Sequence, residues 1–154
     1  MSSGIFSQPR DDDVFGRIYE YFLTQFVTQH YSRMRATVRE NYAASLYFLD
    51  GRLADATMAA GQKSRSIETF LTTGTDEIEV VVKNVALEDL REPPFTATVD
   101  FERIYLSPGD HLEQKRERFV AHFVFVVKDR VPNAFIPINP LGLTITYFRE
   151  DQAF

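Results

Sequence analysis

Apolar residues recur at every third or fourth position in the first half of the chain and at every second position in the second half, and the switch falls at Glu77. From Val14 two stripes run side by side, Val14, Ile18, Phe22 and Phe26 beside Phe15, Tyr19, Leu23 and Val27. A spacing of four residues keeps each stripe on one helical face, and two adjacent stripes make that face wider than one packing layer needs. The pattern predicts a helix over residues 13–31, ~28 Å long. Asp11, Asp12 and Asp13 supply its cap and suit the positive end of its dipole. Thr37-x-x-Glu40 has the form of a capping box for a second helix, with Val38, Tyr42, Leu46 and Leu49 on one face and a break at Asp50-Gly51. A short third helix is expected over residues 53–60, stopped by Gly61. Ser66 is expected to cap a fourth, which carries Ile67, Phe70 and Leu71 and which Gly74 closes.

After Glu77 the signals are those of strands. Residues 78–85 are rich in valine and isoleucine and predict the first strand. In 95–105, Phe95, Ala97, Val99, Phe101 and Tyr105 oppose Thr96, Thr98, Asp100 and Glu102, a period of two with one dry face. Residues 107–118 are charged and contain Pro108-Gly109, so a mobile polar loop with fast amide exchange is expected there. Residues 119–127 are nearly all apolar, which predicts a third strand inside the sheet, covered more than its neighbours. Pro132, Pro137 and Pro140 keep the next segment out of any regular central strand. Asn139-Pro140-Leu141-Gly142 then has type I turn chemistry, with Asn139 bonding its own backbone two residues on, Pro140 presetting φ and Gly142 free to take a positive φ. The turn launches a last strand over 143–149, in which Leu143, Ile145 and Tyr147 are expected to face inward.

Helices first and a four-stranded antiparallel meander afterwards define an α+β fold: a long N-terminal helix and shorter helices on one face of a curved sheet. Composition narrows the function without naming it. A chain of 154 residues with 44% hydrophobic and 25% charged residues is globular. A net charge of −5 argues against a general nucleic-acid binder. With no cysteine, disulfides, thiolate catalysis and Cys-ligated zinc are excluded. No run approaches the ~18 apolar residues of a membrane helix. His30, His111 and His122 fall in helix, loop and strand without metal-ligand spacing, and no cofactor motif occurs. Of the three, His122 alone is expected inside the cone of the fold, as a satisfied core or edge residue in preference to a general base. Asp100 and Glu102 read as solvated carboxylates, and Arg33, Arg35 and Arg39 as an exposed helix end.

The run Ile138-Asn-Pro-Leu-Gly-Leu-Thr-Ile-Thr-Tyr-Phe148 resembles the closing Asn-Pro-x-Gly motif and last strand of one family, the eighth VirB component of bacterial type IV secretion systems. The resemblance implies the cone-shaped fold of nuclear-transport-factor-2-like proteins and a periplasmic domain over residues 11–154. It implies a protein of the bacterial inner membrane, anchored through an N-terminal segment outside this chain, with residues 1–10 a disordered tail or an addition. It further implies no catalytic centre, no cofactor or metal, weak homodimerisation and contacts with other secretion subunits during channel assembly. The wide first-helix face supplies the expected partner surface: Val14, Phe15, Ile18, Tyr19, Phe22 and Phe26. The competing expectation is a cone-pocket ligand binder, or an isomerase or dehydratase, since such folds also host enzymes. It requires a carboxylate or histidine pointing into the cone, where strand two instead offers Phe, Ala, Val and Tyr.

Overall fold

Helices and strands follow the order that the two periods predict. The computed structural model describes residues 11–154, with side chains from Val14 onward. It contains α1 Asp11–Tyr31, α2 Val38–Leu46, α3 Gly51–Ser64 and α4 Ser66–Thr72. The strands follow as β1 Glu77–Leu87, β2 Phe95–Leu106, β3 Glu113–Val127 and β4 Leu143–Ala153. They pair antiparallel in the order β1-β2-β3-β4, so the fold is α+β with four helices packed on an open four-stranded sheet. Expectations for residues 1–10 and for the Asp11–Asp13 side chains lie outside the described residues.

The double stripe of α1 has a physical use. The helix packs against β1 on one side and α2 on the other, so two neighbours share its wide face. Leu23, Phe26 and Val27 are fully buried and Tyr19 nearly so. Phe26 meets Phe123 of β3 at 5.7 Å and Phe48, just after α2, at 6.3 Å, both edge to face, a favoured geometry for rings. Phe95, Ala97, Val99 and Phe101 of β2 and Phe119, Ala121, Phe123 and Phe125 of β3 fill the rest of the core in strict alternation. As expected, β3 is an interior strand, yet its other face is bare of helices, and Val120, Val124 and Val126 there are only half-buried.

Several boundaries differ from the sequence reading. The second helix stops at Leu46, and Leu49 instead forms a parallel bridge to Ile145. No side-chain bond from Thr37 caps α2; its hydroxyl accepts instead from Asn41 Nδ2 at 3.2 Å. Gly61 does not stop α3, which runs on to Ser64 and ends where Arg65 takes a positive φ of 54°. Arg65, not Ser66, is the cap of α4.

The expected loop over 107–118 shrinks to residues 107–112. Residues 113–118 belong to β3 and ladder against β2, with Lys115 opposite Tyr105 and Arg118 opposite Glu102. Charge does not prevent a strand whose side chains stand in water and find partners across the sheet. Arg116 bridges Glu113 at 2.6 Å and Glu102 at 3.5 Å, and Lys115 sits 4.5 Å from the Tyr105 ring. Amide exchange should therefore be fast at Gly109 and Asp110 and markedly slower in the amides of 113–118 that pair with β2. Uniformly fast exchange across both stretches would contradict this register.

Candidate functional site

The Asn-Pro-Leu-Gly turn is the junction where three distant parts of the chain meet. Asn139 is 1% exposed, and its amide makes three bonds. Nδ2 donates to the Tyr47 carbonyl at 3.1 Å and to the Leu143 carbonyl at 2.8 Å, and Oδ1 accepts from the Leu143 N–H at 3.2 Å. The expected bond two residues on is replaced by this reach to β4 and to the end of α2. Gly142 N–H closes the turn onto the Asn139 carbonyl at 3.2 Å. Gly142 has φ +76°, and a Cβ there would stand 2.8 Å from Val131 Cγ2 and 3.0 Å from the Lys128 carbonyl. Only glycine meets both demands without strain. From the turn β4 starts beside the α2–α3 connection, where Ile145 N–H donates to the Phe48 carbonyl at 2.7 Å and Asp50 N–H to the Ile145 carbonyl at 2.9 Å.

Farther along β4 the expected inward set is corrected. Leu143 and Ile145 are fully buried, but Tyr147 is 50% exposed. The register shifts between Val124 and Phe125, so that Phe125 pairs with Ile145 and Val124 with Tyr147, leaving Thr146 as an extra residue. A bulge of one residue reverses which side chains face inward. Phe148 takes the position, 5.3 Å from Phe26.

The histidine inside the fold is His30, not His122. His30 lies between the rings of Phe26 and Tyr42, at 4.9 and 5.1 Å. Its Nδ1 is 2.9 Å from Ser45 Oγ, and the Ser45 hydroxyl donates in turn to the Tyr42 carbonyl at 2.6 Å. That chain assigns the proton to Nδ1, with Ser45 accepting from it. Burial first, then the positive charges of Arg33 and Arg103, lower the His30 pKa from 6.5 to about 3. A serine and a histidine in contact suggest a nucleophile and its base, but here the proton runs the wrong way. Ser45 is also fully buried, so the pair cannot meet a substrate. His122 stands on the opposite face of the interior strand β3, paired with Thr98 and Arg149, and its Nε2 is 3.3 Å from Asp151.

The arginines are put to structural use. Arg33 donates to the carbonyls of His30 and Ser32 at the end of α1, both at 2.8 Å. Arg35 reaches the carbonyls of Thr73 and Thr75 beyond α4, at 2.8 and 2.6 Å. Arg39 remains exposed. Arg103, which the sequence reading passed over, takes an inward position of β2, stacks 4.1 Å over Phe119 and pairs with Glu150 at 3.0 Å. Glu102, expected as a solvated carboxylate, is instead only 15% exposed at its side chain, covered by Lys83 at 3.6 Å and Arg116 at 3.5 Å. Among the described residues no group of three or more His, Asp or Glu side chains is disposed to hold a metal ion.

Of the six residues expected to form a partner surface, Tyr19 and Phe26 are in the core and cannot contribute. Ile18 and Phe22 are half-buried. Val14 and Phe15 are 46% and 43% exposed, and Tyr21, from outside the expected set, is 58% exposed. Packing between β1 and α2 consumes the middle of the wide face and leaves Val14, Phe15 and Tyr21 exposed.

No curated protein matches the sequence. Among solved structures, the soluble domain of the TrwG type IV secretion machinery from Bartonella grahamii superposes with a TM-score of 0.75 at 18% identity, covering 90% of this chain and 94% of that one. The Agrobacterium tumefaciens VirB8 protein gives 0.73 at 14% identity, over 96% and 97% of the two chains. A TraE protein gives 0.73 at 21% identity, over 96% and 100%. At such identities the likeness is one of fold. The sequence model of the VirB8 protein matches residues 10–153, nearly the whole chain, and includes the Asn139–Gly142 turn. The chain belongs to the VirB8 family.

Proposed function

We propose that this chain is the periplasmic domain of an assembly component of a bacterial type IV secretion system, working through protein–protein contacts and without catalysis. Family membership over residues 10–153 supports the system. The observation that carries the non-catalytic part is the filled cone. Phe26, Phe48, Phe101, Phe123 and Phe125, all less than 2% exposed, pack into the core between the helices and the sheet, where a cone-pocket enzyme needs an open cavity. Among the described residues no helix is long and apolar enough to cross a membrane, so in this reading the anchor lies N-terminal to α1 in the full-length protein. Affinity isolation of the tagged full-length protein from its host's membranes tests the reading. Recovery of other secretion subunits is expected, and recovery of none of them would count against it.

Self-association is the second part of the reading, and the exposure of Val14 and Phe15 on α1 supports it. Val14 and Phe15 are apolar, exposed and adjacent, as in a small contact patch. Phe15→Asp should raise the dissociation constant of a weak dimer about tenfold, the effect of losing ~1.4 kcal/mol. Sedimentation equilibrium reads it directly, and a parent chain that is monomeric at its highest soluble concentration would overturn the idea.

A further inference from the structure

The two edges of the sheet are guarded differently. β1 bears an irregularity at Lys83, packs against α1 and is bridged by Arg33 at Ile78, and each of these keeps a further strand away. β4 is covered only at its start, where Leu49 bridges Ile145. From Tyr147 to Ala153 it has no strand on its outer side among the described residues, and the stretch holds no Pro, Gly or Lys to discourage one. Its residues are exposed except for the half-buried Phe148 and Ala153. The backbone there is also disposed for pairing. Ile145 turns its N–H and carbonyl away from β3, toward Phe48 and Asp50. Its partner Phe125 therefore turns away from β4, and alternation along β3 makes Phe123, Ala121 and Phe119 do the same. Phe148, Glu150 and Gln152, which face those three, thus point their N–H and carbonyl groups out from the edge.

The side chains of β4 select the strand that such an edge takes. On the face without helices, Arg149 and Asp151 are 58% and 56% exposed and lie 3.6 Å apart, so both can turn to a facing strand. A second β4, run antiparallel with Phe148 opposite Gln152, sets Arg149 opposite Asp151 and Asp151 opposite Arg149. One step of register to either side sets Arg149 against Arg149 or Asp151 against Asp151, so charge picks out a single alignment. Glu150 then meets its own copy on the inner face, where each is held by its own Arg103 at 3.0 Å. We propose that β4 pairs with β4 of a second copy in this register, joining the two sheets into one across a two-fold axis. The surface is its own complement, as a two-fold contact requires. It is separate from the contact read at helix one, because Gly16, next to Phe15, lies against Leu87 of β1 at the opposite edge. A copy that uses both surfaces binds two neighbours, which allows growth beyond a pair.

Charge reversal in the full chain tests this register, carried in the Phe15→Asp background so that helix one does not contribute. The Phe15→Asp chain should still form a dimer in sedimentation velocity. Adding Arg149→Asp or Asp151→Arg should weaken that dimer about tenfold, since like charges then face each other. Both positions are exposed, so thermal melts should match the background. An equimolar mixture of the two variants should recover the lost affinity, because each acidic pair then faces a basic pair. Cross-linking reads the same alignment. The chain has no cysteine, and facing residues that point away from the new ladder come within disulfide reach. On mild oxidation a mixture of Tyr147→Cys and Ala153→Cys chains should therefore cross-link well above either variant alone. A Phe15→Asp chain that is monomeric at its highest soluble concentration overturns the β4 contact and leaves the helix-one reading standing. If Phe15→Asp associates as the parent does while the β4 reversals weaken it, the helix-one reading fails and the β4 contact stands. Reversals without effect, reversals that do not rescue each other, or equal cross-linking in all samples also overturn the inference.

Discussion

Gly142→Val should lower the stability of this fold by roughly 2–5 kcal/mol, the sum of a β-branched residue held at positive φ and an overpacked site. The backbone at φ +76° is one source of the cost. The second is contact, since the first carbon of any side chain lands 3.0 Å from the Lys128 carbonyl and 2.8 Å from Val131. A backbone carbonyl cannot swing away as a side-chain tip can. The damage should not stay local. The Gly142 carbonyl accepts from Lys128 N–H at 3.0 Å and from Thr144 Oγ1 at 2.9 Å, so a shift there disturbs the pairing of β3 with β4 at its first rung. Asn139→Ala attacks the same junction from the other side. It removes three bonds, one to the half-buried Tyr47 carbonyl and two to the buried backbone of Leu143, and should cost about 2–4 kcal/mol. Urea denaturation of both variants measures these losses. Variants as stable as the parent that fail in secretion would make the motif a contact surface instead of a structural joint.

Acid should weaken the protein through His30. The folded chain takes up this proton near pH 3, because burial and two nearby arginines oppose the charge, while the unfolded chain takes it up near 6.5. The folded pKa is the lower one, so the stability that His30 contributes is fully present above pH 6.5. It is lost as the pH falls from there toward 3, at about 1.4 kcal/mol per pH unit. The ring fits between Phe26 and Tyr42, so His30→Phe can keep the stacking while removing the titration. Between pH 6 and 4 the stability of that variant should fall less steeply than the parent's by about that slope. Parallel pH profiles from urea melts would show that the buried ring is not the group responsible.

The sequence carried the architecture well where one period governs a whole element. Phe95, Ala97, Val99 and Phe101 alternate without exception, and all four are core residues. What escaped are features set by partners far away in the chain. Thr146 becomes a bulge only through its pairing with β3, and nothing local separates it from the threonine two residues earlier. Asn139 was legible as a turn residue, but its bond to Tyr47 spans 92 positions. Residues 113–118 read as a loop because their charge masked strand pairing that the ladder with β2 supplies. His30 was within reach of the pattern, since it continues the Phe22–Phe26 stripe at the next step of four. The excess width of the first helix was also legible, but not that β1 and α2 together would claim most of it, leaving Val14, Phe15 and Tyr21 as its well-exposed large apolar residues among those described.

Transfer by the living machine tests the central claim most directly. In a host whose gene for this protein is deleted, delivery of the system's DNA or protein cargo should stop, and the full-length parent gene should restore it. Phe15→Asp, introduced at the corresponding codon and accumulating to the parent's level, should leave transfer strongly reduced. Undiminished transfer in the deletion strain would contradict the account, because an assembly component cannot be absent from a working channel.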